Sequence, residues 1–208
     1  NLSNITISPP LIRKAIANIN ESGSMGPDSI HPILLKRCSN ALSYPLYLLF
    51  NKSLTSATVP NSWKLSNVVP IYKKGSPSDP LNYRPISLTS ICSKTLERIV
   101  VSSINEYLDH NHILSEQQFG FRSGRSVQDQ LLITYEFVTR EYDQGKIIDL
   151  VLFDFKKAFD LVPHVTLINK LAVLGFRPPL LDWIRDFLAR REMRVVVLGS
   201  LSLSFIHI

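Results

Sequence analysis

Two carboxylates six residues apart, Asp154 and Asp160, follow the apolar run Ile147-Ile148-Asp149-Leu150-Val151-Leu152-Phe153. The run is rich in β-branched residues and too short to cross a membrane, so it predicts a buried strand with Asp154 at its tip. An acid held rigidly at a strand end suits a divalent cation. Mg2+ takes near-octahedral oxygen geometry and is commonly held by one or two carboxylates plus substrate phosphates. The same pattern describes a strand that merely stops at a polar turn residue, so the clusters around it must decide.

Three clusters bear on that choice. Lys73-Lys74-Gly75, with Arg84 on the strand that follows, pairs point charges with a bidentate fork, a combination suited to a triphosphate. Alone it would be a solvated turn. The run Gln117-Gln118-Phe119-Gly120-Phe121-Arg122-Ser123-Gly124-Arg125 permits close backbone approach, base stacking and phosphate contact with a nucleic-acid strand. It reads equally as a glycine-broken turn with two core phenylalanines. The third element is Phe159, between Lys157 and Asp160, which either packs in a core or stands beneath a bound sugar.

The elements that must position these residues follow from periodicity and punctuation. Ser8-Pro9-Pro10 caps an apolar stripe over Leu11, Ile12, Ala15, Ile16 and Ile19, and Gly26-Pro27-Asp28-Ser29 is a turn. Helices are predicted from His31 to Cys38, from about Ser43 to Thr55 and from Thr89 to Leu108. Strands are predicted over Asn67 to Tyr72 and Tyr83 to Leu88, joined by the loop Lys73 to Pro80. Ser126-Val127-Gln128-Asp129 resembles a capping box, with Asp where Glu or Gln is usual, and opens a helix to about Gln144. Helices over Pro163 to Leu174 and Pro179 to Leu188 precede a strand, a Gly-Ser turn and a second strand between Met193 and Ile208. The class is mixed α+β, with helices dominating.

With 45% hydrophobic and 19% charged residues, the 208-residue chain can bury a core. Its 23 basic and 17 acidic residues leave a net charge of +6, which favours an anionic partner, nucleic acid before acidic lipid. Cys38 and Cys92 form no disulfide framework or zinc pattern, which fits a reducing compartment, and His110 and His112 read as a solvated loop pair. No secretory signal opens the chain and no apolar stretch reaches ~20 residues, so a soluble protein is expected, with no membrane partner. An initial Asn and an unfinished apolar run at the C-terminus predict a fragment at both ends.

Five stretches, taken together, resemble the reverse transcriptase domain of non-LTR (LINE-like) retrotransposons: SMGPDSIHPILLK (24 to 36), VPNSWKLSNVVPIYKKG (59 to 75), NYRPISLTSICSKTLERIV (82 to 100), LSEQQFGFRSGRSVQDQLL (114 to 132) and LVLFDFKKAFDLVPH (150 to 164). They stand in the family's order at family-like spacing. The resemblance implies a right-hand polymerase that makes DNA on an RNA template, from a DNA primer and dNTPs, with two Mg2+ ions. It implies fingers and an N-terminal extension over 1 to 146 and a partial palm over 147 to 208, with small antiparallel sheet elements. It also implies an intracellular ribonucleoprotein, cytoplasmic or nuclear, and leaves the oligomeric state open. Residue by residue, Asp154 matches the first metal-binding aspartate, assisted by the backbone carbonyl of Phe155. Phe159 matches the residue that excludes a ribose 2′-hydroxyl. Lys73, Lys74 and Arg84 match triphosphate contacts; Gly120, Phe121, Arg122 and Arg125 match a template-facing segment. Asp160 and His164 belong to the motif, Asp160 in a supporting role.

One departure limits the expectation. Two-metal phosphoryl transfer needs carboxylates from two strands, and the family's Gly-Val-Pro-Gln-Gly loop and aromatic-Ala-Asp-Asp turn are not among these 208 residues. The second half of the palm and the thumb are therefore expected to be missing. The strand at Val151 to Phe153 is expected to lack its ladder unless Arg194 to Leu198 pairs with it, and the chain to be inactive by itself. The alternatives are an RNA-binding remnant or co-opted module, and a doubly wound phosphatase with an Asp nucleophile. The phosphatase wants a second Asp where Lys156 stands.

Overall fold

The structure, a computed structural model, describes residues 1–155, 158–202 and 206–207. Lys156 and Lys157, which enter the sequence reading, lie outside the described residues. In chain order the elements are α1 (Pro9–Ala17), α2 (Pro32–Arg37), α3 (Ser39–Thr55), β1 (Leu65–Tyr72), β2 (Tyr83–Thr89), α4 (Ile91–His110), α5 (Val127–Asp143), α6 (His164–Val173), α7 (Leu180–Leu188), β3 (Glu192–Val197), β4 (Ser200–Leu201) and β5 (Ile206–His207). The helix-rich α+β class expected from the sequence is observed. The chain divides into two compact units, Asn1–Ile104 with His164–Ile208, and Asn105–Pro163.

The first unit is built on a hydrophobic core. Ser8 accepts a hydrogen bond from the Leu11 amide (3.4 Å), Pro9 occupies the first turn, and α1 buries Ile12 and Ile16. Phe50 of α3 meets Trp63 edge to face at 5.8 Å, and Trp183 of α7 donates its indole N–H to Ser53 Oγ at 2.9 Å. Around Trp63 the chain is clamped by one carboxylate. Asp186 of α7 accepts from Lys64 Nζ at 2.8 Å and from the Val59 amide at 2.7 Å. Burial by itself would raise the Asp186 pKa, but the bonds from Lys64, Val59 and Arg190 outweigh it and hold the carboxyl below its ordinary value. At the same end of β1 and β2, Gly26 touches the chain so closely that a Cβ would sit 2.5 Å from the Thr89 carbonyl oxygen. The Gly26-Pro27 turn therefore fits only without a side chain. Burial, then the charge of Asp28, push the Cys92 thiol up to about 11, so it carries little thiolate at neutral pH.

The sheet differs from the small antiparallel elements expected. β1 and β2 form an antiparallel hairpin from Ser66↔Thr89 to Tyr72↔Tyr83, but β1 pairs in parallel with β3, Leu65↔Glu192 to Val68↔Val195. On its other edge β3 takes β4 (Val197↔Ser200) and β5 (Met193↔Ile206), giving a mixed five-stranded sheet. The β3–β4 turn is Leu198-Gly199 rather than Gly-Ser, both residues at positive φ (49° and 80°), as a two-residue hairpin turn favours.

The second unit comprises the end of α4, the loop 111–126, α5 and the segment 144–163. The capping box at α5 forms as the sequence indicates: Ser126 Oγ accepts from the Asp129 amide (3.1 Å), and the Asp129 carboxylate accepts from the Ser126 amide (2.9 Å). The predicted strand over Ile147 to Phe153 is not observed: residues 146–155 carry no ladder hydrogen bonds, and Phe153 is 91% exposed. Apolar β-branched residues favour a strand only where a neighbour supplies the ladder. The one candidate neighbour in the sequence reading, Arg194 to Leu198, pairs instead with β1 through Val195 and with β4 at Val196 and Val197.

Candidate functional site

The β1–β2 hairpin presents the basic cluster on a fixed scaffold. Lys73 donates its amide to the Asn82 carbonyl (2.8 Å), Tyr83 Oη donates to the Pro77 carbonyl (2.8 Å), and the Tyr72 and Tyr83 rings meet at 5.6 Å. Gly75 sits at φ 96°, where a Cβ would strike the Asn82 amide group, so the turn after Lys74 depends on glycine. Lys73 and Lys74 are exposed in the turn, and Arg84, opposite Ile71, is exposed on β2. No ion pair engages these three cations among the described residues. They are available to an anion.

The two arginines of the glycine-rich loop are differently placed. Arg122 donates to the Ser115 carbonyl at 2.9 Å and to Asp109 Oδ1 at 3.2 Å, and lies 4.0 Å from Glu116 Oε1. Arg125 binds both the carbonyl and the carboxylate of Glu116, with its guanidinium 5.2 Å from the centre of the Phe119 ring. Phe121 takes the left-handed conformation (φ 61°), uncommon for a residue with a Cβ, and is 87% exposed. Its ring meets that of Phe159 edge to face at 5.9 Å. The structure thus joins two residues that the sequence nominated separately, one for the template and one for the sugar. Asp109 and Glu116 were not foreseen. Glu116 stands inside the quoted motif, but no regular spacing ties an acid to an arginine nine residues on.

Asp154, Phe155 and Phe159 lie on the ladder-free stretch and the turn after it, all exposed. Among the described residues no group of three His, Cys, Asp or Glu side chains could hold a metal ion. Mg2+ completes its octahedron with water and substrate phosphates around one or two carboxylates, so Asp154 is at most one part of the two-metal set that the family resemblance implies. Among the described residues, too, no helix is long and apolar enough to cross a membrane.

Comparison with known proteins bears on the motifs. A family model described as reverse transcriptase (RNA-dependent DNA polymerase) matches residues 71–204. The chain is 32% identical over 193 residues to the protein named "Probable RNA-directed DNA polymerase from transposon BS" of Drosophila melanogaster, covering 92% of this chain and 21% of that protein. To "Probable RNA-directed DNA polymerase from transposon X-element" of the same fly it is 31% identical over 164 residues, 78% of this chain and 18% of the relative. To "RNA-directed DNA polymerase from mobile element jockey" of that fly it is 28% identical over 199 residues, 95% of this chain and 21% of the relative. The chain spans about a fifth of the length of these relatives. The matched region runs from the basic hairpin through the arginine loop to Asp154 and beyond, and on that ground the chain belongs to the reverse transcriptase (RNA-dependent DNA polymerase) family, in the branch carried by non-LTR, LINE-like retrotransposons.

Proposed function

We propose that this chain forms an N-terminal extension and the fingers, over 1 to 146, and part of the palm, over 147 to 208, of a polymerase that copies RNA into DNA. The observation that carries the reading is the unbroken family match over 71–204, which takes in every cluster nominated for substrate contact. In this reading Lys73, Lys74 and Arg84 receive the triphosphate of a dNTP, a task for which free cations on a braced hairpin are suited. Gly120, Phe121, Arg122 and Arg125 face the template. Phe159 excludes a ribose 2′-hydroxyl, and Asp154 with the Phe155 carbonyl supplies part of the palm's oxygen set. Mg2+ belongs to the family's chemistry; two-metal transfer takes a larger carboxylate set than Asp154 alone supplies, so the complete reaction belongs to the parent protein, within an intracellular ribonucleoprotein.

The test is primer extension by the 208-residue chain on a poly-A template with oligo-dT and Mg2+. We expect incorporation no higher than that of Asp154→Ala. Sustained synthesis above that control would mean the chain completes its own metal site. A second reading, an RNA-binding module without polymerisation, is favoured by the exposed cations of the hairpin and predicts affinity that falls with salt.

A further inference from the structure

We infer that Glu116, together with Asp109, masks Arg122 and Arg125, and that an incoming nucleic-acid strand must open this mask before the loop can grip it. The inference rests on the template-facing reading above and adds two residues to it. The guanidinium groups that would meet phosphate are largely covered, with side chains 12% and 24% exposed for Arg122 and Arg125. The carboxylates that hold them are not: Asp109 is 45% exposed and Glu116 73%. An approaching phosphate therefore meets negative charge first, and the fork that should grip it is already engaged.

The mask is built to yield. Ion pairs with an exposed partner are weak and screened by salt, and a phosphate can take both arms of the Arg125 fork, which Glu116 holds with one carboxylate oxygen and its backbone carbonyl. Phe119 lies under the Arg125 guanidinium and would keep it in place while partners are exchanged. Gly120 and Gly124 leave the approach clear, since a Cβ at either would meet no atom within 4 Å. Glu116 and Asp109 are thus positioning residues: they set how much affinity the arginines can express.

The test is fluorescence anisotropy of the 208-residue chain with a labelled oligo-A RNA at three ionic strengths. Glu116→Gln is expected to tighten binding about 1.5- to fivefold at low salt, the range that an exposed ion pair spans. The slope of log K against log salt should steepen by about 0.7, one more phosphate contact on a single strand. Glu136→Gln, the same charge change on an exposed position of α5, measures the gain from net charge alone and should fall well short. Arg125→Gln should cancel the gain when combined with Glu116→Gln. If wild type binds and Glu116→Gln matches it, or binds more weakly, the mask is wrong while the RNA-binding reading stands. A gain no larger than that of Glu136→Gln also overturns the mask. If neither wild type nor Glu116→Gln binds RNA, both fall.

Discussion

The two units of this chain differ in how far they bury themselves. In Asn1–Ile104 with His164–Ile208, side chains such as Ile12, Ile16, Phe50, Leu96 and Phe176 are out of reach of water. In Asn105–Pro163 no described residue is buried, although the sequence there is just as apolar in places. That second unit nonetheless carries the arginine loop, the aromatic pair Phe121–Phe159 and Asp154. Burial of apolar area is the main term that offsets chain entropy, so the first unit can hold itself and the second has little of its own to resist opening. Asp154, nominated for catalysis, thus sits with the arginine loop on the part of the chain that folding stabilises least, while the basic hairpin sits on the part it stabilises most.

The sharpest way to break this contrast is a pair of truncations. Phe50→Ala, in the core, is expected to cost about 3–5 kcal/mol in urea denaturation, while Phe153→Ala should stay within about 0.5 kcal/mol. Equal losses would show that the second unit has a core after all. A smaller effect should come from the clamp of the first unit. Asp186→Asn leaves the buried Lys64 ammonium without its carboxylate, for a loss of about 2 kcal/mol at neutral pH. Because the Asp186 pKa is lowered on folding, its contribution is complete above the unfolded carboxylate value and disappears as pH falls through the lower folded value. Wild type and Asp186→Asn should therefore converge in stability only in strong acid; a constant gap there would contradict the assignment. A smaller loss than that of Asp186→Asn is expected in the second unit: Ser126→Ala removes the α5 cap at about 1 kcal/mol. Amide exchange should speed up along α5 while the urea midpoint of the core hardly moves. A matching shift of that midpoint would mean that the two units unfold together.

What the sequence made legible is what neighbours in the chain decide. Ser8-Pro9-Pro10 and Ser126 with Asp129 announce two helices because capping is a matter of three residues, and the β1–β2 hairpin follows from two short apolar runs and a Gly/Pro loop. The basic hairpin cluster and the arginine loop were visible for the same reason. The parallel pairing of β1 with β3 was not, because nothing local specifies a partner across so much chain. The strand drawn through Ile147 to Phe153 failed on the same principle in reverse: its residues had the right propensity and no ladder to join. In the site, residue types revealed which cations could bind phosphate but not that Glu116 already occupies two of them.

The parallel pairing also sets a timetable for synthesis. Asn67 is opposite Arg194, which leaves the ribosome 127 residues later. At ~5–20 residues per second, the free edge of β1 waits about 6 to 25 seconds for its neighbour. During that interval Leu65 to Val68 is an unpaired strand edge, open to the same segment of another nascent chain. The yield of correctly folded protein should therefore depend on translation speed between β2 and β3, on chaperone occupancy, and on how densely ribosomes are loaded on the message.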